Sequence, residues 1–273
     1  MATEVLAGPL GSPRAASTAG GGTALTTTAG IIGLPPGTIW VALSPRNFST
    51  AVVVKFALNP YLIVLKTTDA LVAATNLTDA SEAVQDQGVL SSTALTMNSF
   101  DTAANLNFLY VGSPLPFRGV KVTIGNTNAA GGSALTVKYW NGAWTDIACT
   151  DGTDSTDTFR QNGNVTWTVP TDWKRASLFE IGDTVLPSPA FLRQPYFWTR
   201  WQTDVAFDSE VTATEMYALN RNTAQYGELQ PGQVFEERVH RGPGGLACVE
   251  ALTDAGTANV IVNVAAGNGG FAV

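Results

Sequence analysis

The stretch that most constrains the fold is residues 135–148, which has the pattern of a β-hairpin. Along LTVKYW, one set of side chains (Leu, Val, Tyr) alternates with another (Thr, Lys, Trp), the period that places neighbours on opposite faces of a sheet. Asn141-Gly142 is the dipeptide favoured by a two-residue type I′ turn, in which both central residues need positive φ. A return strand carrying Trp144 and Ile147 follows. The stretch predicts an antiparallel pair.

The same pattern recurs along the chain as short β-branched and aromatic runs separated by Gly, Pro, Asn and Asp. Asn59-Pro60 and residues 253–257 predict two further hairpins, Asp208-Ser209 predicts a turn between strands, and residues 79–85 predict one or two helical turns. Closely spaced strands with little helix indicate an all-β protein, an antiparallel β-sandwich or jelly roll. The predicted strands span residues 39–43, 51–56, 61–66, 108–112, 117–124, 165–169, 196–203, 211–219, 246–252 and 259–264.

Composition divides the chain into four predicted regions: an extended low-complexity arm (1–30), an N-terminal β region (31–104), a β-sandwich domain (105–220) and a C-terminal hairpin with a Gly-rich extension (221–273). The arm has few large apolar side chains and cannot offset its ordering entropy alone. It is expected either to lie on another subunit or to remain a free tail. The arm residues assigned to a subunit interface are Ala2, Leu6, Leu10, Pro13 and Leu25.

Charge and hydropathy limit the classes of partner. The net charge is −7 and Lys and Arg are not clustered, which argues against nucleic-acid binding. The most apolar run, residues 51–65, is interrupted by Lys55 and Asn59-Pro60, so no membrane span is expected. The first residues lack the pattern of a signal peptide, which predicts a soluble protein made in the cytoplasm. The charged fraction, 14%, is low and suits surfaces that become buried in an assembly.

Catalytic signatures are missing from the sequence. His240 is the single histidine, no G-x-S-x-G motif occurs, and the Gly-rich loops lack the phosphate-binding spacings. Scattered carboxylates leave glycoside hydrolysis as a minor alternative, because sequence does not show whether any pair converges. Cys149 and Cys248 lie in apolar runs that predict buried thiols, and one histidine with two distant cysteines excludes a zinc site of standard spacing. We therefore predict a non-enzymatic protein without a cofactor.

One acidic loop has the residue types of a metal site. Asp151, Asp154 and Asp157 place three carboxylates within seven residues, and Ca²⁺ prefers oxygen ligands. The loop lacks the terminal Glu of an EF-hand, so a solvated acidic turn is the alternative to a weak calcium site.

The seven tryptophans admit two interpretations. Buried indoles would fill a sandwich core, whereas exposed ones would suit stacking on sugar rings. Their positions in strand-like runs favour the core. Trp198 and Trp201 are three residues apart in one strand and so point to opposite faces. One of them is therefore expected at the surface or at an interface.

Several of these strands also occur in the order of a known module. The segments are FLYVG from Phe108, PFRGVKV from Pro116, LTVKYWNGAWT from Leu135, NVTWTVPTDW from Asn164 and PYFWTRW from Pro195. Over residues 105–220 the chain resembles a β-sandwich module of virion structural proteins of tailed bacteriophages.

The resemblance implies assembly or attachment rather than catalysis. The expected role is that of an auxiliary head protein (decoration or cement) in the virion, homo-oligomeric and bound to the major capsid protein. A neck or tail component is one alternative. A tail-fibre or baseplate adhesin that binds host glycan is another. Two exposed coplanar tryptophans beside a loop cleft would favour the adhesin, and burial of all of them would favour the scaffold.

Overall fold

The fold is described from a computed structural model of the chain. It describes residues 22–35, 37–49, 52–72, 76–85, 94–97, 100, 107–129, 131–182, 194–208, 211–219 and 225–266. These residues form antiparallel sheets that pack together, with one short helix, α1 (Leu178–Ile181), in the described part. The prediction of an all-β antiparallel sandwich is confirmed. A jelly-roll connectivity stays a prediction.

The chain divides into two compact units: unit 1 contains residues 1–59, 86–88 and 222–273, and unit 2 contains residues 60–85 and 89–221. These units differ from the four predicted regions. The predicted N-terminal region, 31–104, is shared between the units, and the C-terminal strands belong with the N-terminal ones. The C-terminal strands pair with N-terminal strands more than 200 residues away, and the composition of the chain does not reveal such pairing.

Unit 1 is built from two four-stranded sheets. The order in the first is β1 (Thr23–Leu25), β20 (Ala258–Ala266), β3 (Thr38–Arg46), β18 (Phe235–Arg238). The order in the second is β17 (Gly227–Leu229), β4 (Val54–Pro60), β19 (Leu246–Thr253), β2 (Gly30–Gly33). Aliphatic side chains from both sheets form one buried cluster, which includes Val41, Val54 and Val262.

Unit 2 pairs a seven-stranded sheet with a five-stranded one. The first runs β11 (Trp144–Ile147), β10 (Leu135–Trp140), β15 (Tyr196–Thr203), β8 (Phe108–Ser113), β5 (Ile63–Thr67), β6 (Leu77–Asp79), with β14 (Arg175–Ala176) on β15. The second runs β12 (Cys149–Asp151), β13 (Gly163–Trp167), β9 (Gly119–Ile124), β16 (Thr212–Leu219), β7 (Leu95–Thr96). Its core is rich in aromatic rings, among them Phe117, Phe159 and Trp201.

Several predicted strands exist but pair with other partners. β4 lies between β17 and β19, whereas β5 pairs with β6 and β8. The prediction of a hairpin at Asn59-Pro60 is therefore wrong, because the two strands belong to different sheets. β19 pairs with β2, and β20 pairs with β1 and β3, so the C-terminal hairpin is wrong as well. β15 and β16 likewise belong to different sheets. The turn residues permit a reversal, but packing decides whether the chain returns to the same sheet.

The central hairpin of β10 and β11 is confirmed, with a different turn. Trp140 pairs with Trp144, which leaves three residues in the loop. Gly142 has φ +113°, whereas Asn141 is not among the residues with positive φ, so the two-residue type I′ prediction is wrong. The Asn141 amide instead donates to Asp172, 3.1 Å away. Residues 79–85, predicted to form one or two helical turns, contain a turn in which the Val84 N–H donates to the Ala80 carbonyl at 3.1 Å.

The predicted arm is only partly described. Its last residues form β1 and begin β2, and Leu25 is 2% exposed inside the core of unit 1. The assignment of Leu25 to a subunit interface is therefore wrong, because its own sandwich buries it. Ala2, Leu6, Leu10 and Pro13 lie outside the described residues. At the other end β20 runs to Ala266, two residues beyond the predicted strand, and the rest of the extension lies outside the described part.

Candidate interaction surface

The acidic loop after β12 is an internally hydrogen-bonded turn. One Asp151 carboxylate oxygen accepts from the Thr153 N–H (2.8 Å) and hydroxyl (2.6 Å), and the other accepts from the Thr158 hydroxyl (2.5 Å). The Thr153 hydroxyl also accepts the N–H of Phe159, a buried residue with φ +59°. These bonds fix the loop in one conformation.

Asp157, in the same acidic loop, accepts hydrogen bonds from a different set of donors than Asp151. Its buried carboxylate accepts from the Gly132 N–H, from the Thr156 hydroxyl (3.1 Å) and from Arg160 (3.1 Å). Burial alone would raise its pKa, but these hydrogen bonds and the Arg160 charge outweigh burial and hold the pKa of Asp157 below its usual range. The carboxylate therefore ties the acidic loop to the loop that precedes β10.

The three aspartates do not form a common ligand set. The carboxylates of Asp151 and Asp157 bind separate groups of donors, and Asp154 is exposed. Over the part of the chain that the structure describes, no group of three His, Cys, Asp or Glu side chains is placed to hold a metal ion. Both the Asp151 and the Asp157 carboxylates accept hydrogen bonds from within unit 2.

Acid is expected to weaken this loop. A depressed folded-state pKa contributes stability that is present above the unfolded value, near 3.8, and is lost as the pH falls through the folded pKa. Asp157→Asn should lower the urea midpoint of unit 2 at about pH 7 and reduce its fall between about pH 5 and pH 2. Tryptophan fluorescence during urea unfolding measures both effects. Asp154→Asn, from the exposed part of the loop, is the matched control, and an equal change in both variants would contradict the assignment.

Four tryptophans are core residues. Each buried indole N–H has an acceptor: Trp167 donates to the Phe117 carbonyl, Trp173 to Trp198, Trp198 to Ala176 and Trp201 to the Thr199 hydroxyl, at 2.8–3.1 Å. Both Trp198 and Trp201 are 0% exposed, so the expectation that one of them would reach the surface or an interface is wrong. They do point to opposite faces, but the Trp198 ring lies against Gly112 of β8 and its indole N–H donates to the Ala176 carbonyl of β14.

Trp40, in β3 of unit 1, is half-buried. The last two tryptophans, Trp140 and Trp144, are half-buried on the outer face of the seven-stranded sheet of unit 2. They face each other across β10 and β11, with ring centroids 5.3 Å apart and planes at 66°. Two coplanar exposed rings would favour sugar stacking, and complete burial would favour a scaffold. The observed pair meets neither condition, because it is partly exposed and edge-to-face.

Arg200 connects this pair to the neighbouring strands. Its guanidinium lies 4.4 Å from the Phe108 ring centroid and 5.2 Å from that of Trp144, two cation–π contacts in one side chain. Tyr110, which pairs with Arg200 across β8 and β15, has its ring 5.5 Å from Trp144. Burial lowers the pKa of Arg200, and burial raises that of Tyr110 to about 12 although the Arg200 charge opposes this shift.

We call this set the aromatic face: Phe108, Tyr110, Trp140, Trp144 and Arg200. Beside it Lys138 donates to Asp146, which pairs with it across β10 and β11. Phe108 and Tyr110 are buried, while Trp140, Trp144, Lys138 and Arg200 are half-buried. The sequence identified the tryptophans, but not Tyr110 or Arg200. The available signal was an arginine in the middle of an aromatic strand.

The remaining candidates are dispersed. Cys248 is buried, as predicted, and Cys149 is half-buried, where burial raises the pKa of its thiol. The two cysteines do not form a disulfide with each other. His240 is exposed in the Gly-rich turn after β18. No helix in the described ranges has the length and apolar character needed to cross a membrane.

Comparisons of the chain with protein-family models, curated proteins and solved structures find no match.

Proposed function

We propose that the chain is a non-enzymatic structural subunit of a tailed-phage virion. In this proposal it is an auxiliary head protein, of the decoration or cement kind, that binds the major capsid protein and ties neighbouring subunits together through its arm. A neck or tail position is the nearest alternative. The sequence resemblance over residues 105–220 supports the virion assignment, and two rigid sandwiches suit a load-carrying subunit.

The aromatic face is the observation that supports a binding role best. Trp, Tyr and Arg are the residue types that dominate the energy of protein–protein interfaces. Here Arg200 is held between two rings, so ordering it on binding costs little further conformational entropy. The half-buried Trp140 and Trp144 offer a rigid apolar surface with Lys138 and Asp146 at its rim. Such a surface fits a protein partner that supplies an apolar centre and a polar border.

Glycan binding is the second candidate, favoured by the partial exposure of the same two indoles. Their 66° interplanar angle permits one ring to stack on a sugar, but not both on successive sugars of a flat chain.

Binding of purified protein to capsids tests the proposal. Trp144→Ala should weaken binding about 10–100-fold, the range of an interface anchor, without a large loss of unit 2 stability. Co-sedimentation with capsids measures the affinity. Leu115→Ala is the control, since Leu115 is 52% exposed and lies outside the aromatic face.

Unchanged capsid binding by Trp144→Ala would remove the aromatic face from the contact. Failure of the wild-type protein to bind capsids, necks or tails would remove the virion role itself. Retention of the wild-type protein on a glycan array, lost in Trp144→Ala, would favour the adhesin.

A further inference from the structure

An open groove lies along one side of unit 1, between the edge strands of its two sheets. β17 is the last strand of one sheet and β18 the last strand of the other. The groove has a volume of about 620 Å³. Its lining combines the apolar side chains of Phe56, Leu229, Val234 and Phe235 with Gly227, Glu228 and Gln233. Phe56 and Leu229 are largely buried beneath it, and Val234 is 54% exposed.

The groove has an aromatic floor and backbone walls. The rings of Phe56 and Phe235 are 4.6 Å apart, one from each sheet. The backbone of β17 passes close to the floor, since a Cβ at Gly227 would lie 2.6 Å from the Phe56 ring. An edge strand presents backbone N–H and C=O groups to an incoming chain. The groove therefore offers both features that extended peptides use, aromatic contact and main-chain pairing.

The N-terminal segment has matching chemistry. Residues 6–13 read LAGPLGSP, in which two prolines favour an extended backbone and two leucines are the large apolar side chains. Proline-bearing extended segments bind aromatic-lined grooves because little entropy remains to be lost. Glu4 and Arg14 are the charged side chains of residues 1–21, so apolar contact would dominate the binding.

The position of β1 also suits this occupant. Thr23 of β1 pairs with Val260 of β20, and Val260 pairs with Pro45 of β3. On the far side of β3, Leu43 pairs with Phe235 of β18. β1 and β18 are therefore the two opposite edges of this sheet, so the segment leaves unit 1 at the edge away from its own groove, which favours the groove of another copy. Residues 1–21 span up to about 70 Å when extended, enough to reach a neighbouring copy.

We propose that residues 6–13 of one copy bind the groove between β17 and β18 of a second copy, with Leu6 and Leu10 against Phe56 and Phe235. This inference rests on the proposed structural role, and it gives the arm an acceptor site. It gives a partner to the groove that carries Phe56, Val234 and Phe235, and to a segment whose large side chains are leucines.

Site-specific photocross-linking of the full chain tests the proposal. A benzoylphenylalanine at Val234, in a mixture of isotopically light and heavy protein, should cross-link to the tryptic peptide that ends at Arg14, with light–heavy pairs present. Leu6→Asp with Leu10→Asp should reduce the yield about tenfold or more, whereas Ala16→Asp with Ala19→Asp, which adds the same two charges beyond Pro13, should leave it unchanged. The same photoprobe at Leu115, 52% exposed, is the positional control.

Cross-links confined to a single chain, cross-links to residues 267–273, or equal yields from Val234 and Leu115 would overturn the exchange. Capsid co-sedimentation on the same samples separates the two proposals. If the protein with the unsubstituted arm gives no Val234 cross-link but still binds capsids, the groove assignment alone is overturned. A cross-link without capsid binding supports the groove and contradicts the virion role.

Discussion

Trp201→Ala is expected to lower the free energy of unfolding of unit 2 by about 3–5 kcal/mol, the range measured for large aromatic deletions in cores. Trp201 is 0% exposed, and its ring lies 6.4 Å from those of Phe159 and Trp167. The substitution would open a cavity between the two sheets of unit 2. It would also remove the donor to the Thr199 hydroxyl, 2.9 Å away.

The two units make this effect separable. Trp40 is the tryptophan of unit 1, and the other tryptophans belong to unit 2, so urea unfolding followed by indole fluorescence reports mainly on unit 2. Trp144→Ala is the matched control, because it removes the same side chain from a half-buried site on the same sheet. We expect it to cost less than about 2 kcal/mol. Equal losses in the two variants would contradict the assignment of Trp201 to the centre of the core.

Gly163→Ala is expected to cost about 3 kcal/mol, the upper part of the usual range for overpacking. A Cβ at Gly163 would lie 2.1 Å from the Gly152 carbonyl oxygen and 2.7 Å from the Thr153 nitrogen. These are backbone atoms of the acidic loop, so no side-chain rotation relieves the overlap. β13 would have to move away from that loop, which would break the 2.9 Å bond from the Gly152 N–H to the Asn164 carbonyl.

Gly131→Ala is the control for this glycine. A Cβ there has no neighbour within 4 Å, and its φ is not in the left-handed region, so the change should stay within about 0.5 kcal/mol. Thermal unfolding followed by circular dichroism compares the two variants. A Gly163→Ala protein as stable as wild type would show that the loop and β13 have room to separate.

The stability of unit 2 matters to the proposed function because unit 2 carries the aromatic face. The five-stranded sheet packs against the sheet that carries the aromatic face, and Asp157 of the acidic loop bonds to the loop before β10. Trp201 packs on the core side of β15, and its neighbour Arg200 faces the other side. Substitutions in the core are therefore expected to weaken capsid binding only as far as they unfold unit 2, whereas Trp144→Ala should weaken it in a folded protein.

The alternation of residues within a short stretch was sufficient to predict the position of several strands. The period of two in LTVKYW, followed by Asn141-Gly142, predicts β10 and its hairpin partner, and the aromatic run from Tyr196 predicts β15 with its exact bounds. Alternation fixes which side chains share a face. It also placed Trp198 and Trp201 on opposite faces correctly.

What covers each face is not local information. A strand in a sandwich has one face against the opposite sheet, and alternation alone suggests that the other is solvated. In β15 the Trp198 side chain is 0% exposed although it points away from the opposite sheet, and its indole donates to the Ala176 carbonyl of β14 at 2.8 Å. The sequence separation of twenty-two residues in that contact explains why no periodic pattern revealed it.

The amino-acid sequence by itself determined the class of the fold, the position of most strands and the absence of the common catalytic motifs, because these depend on residue type and short spacing. The tertiary structure alone decided which strands pair, the division into two units, the burial of Leu25 and the assembly of Phe108, Trp144 and Arg200 on one face. Each of these depends on contacts between residues far apart in the chain. Their energy comes from burial and packing that exist only after the sheets have formed.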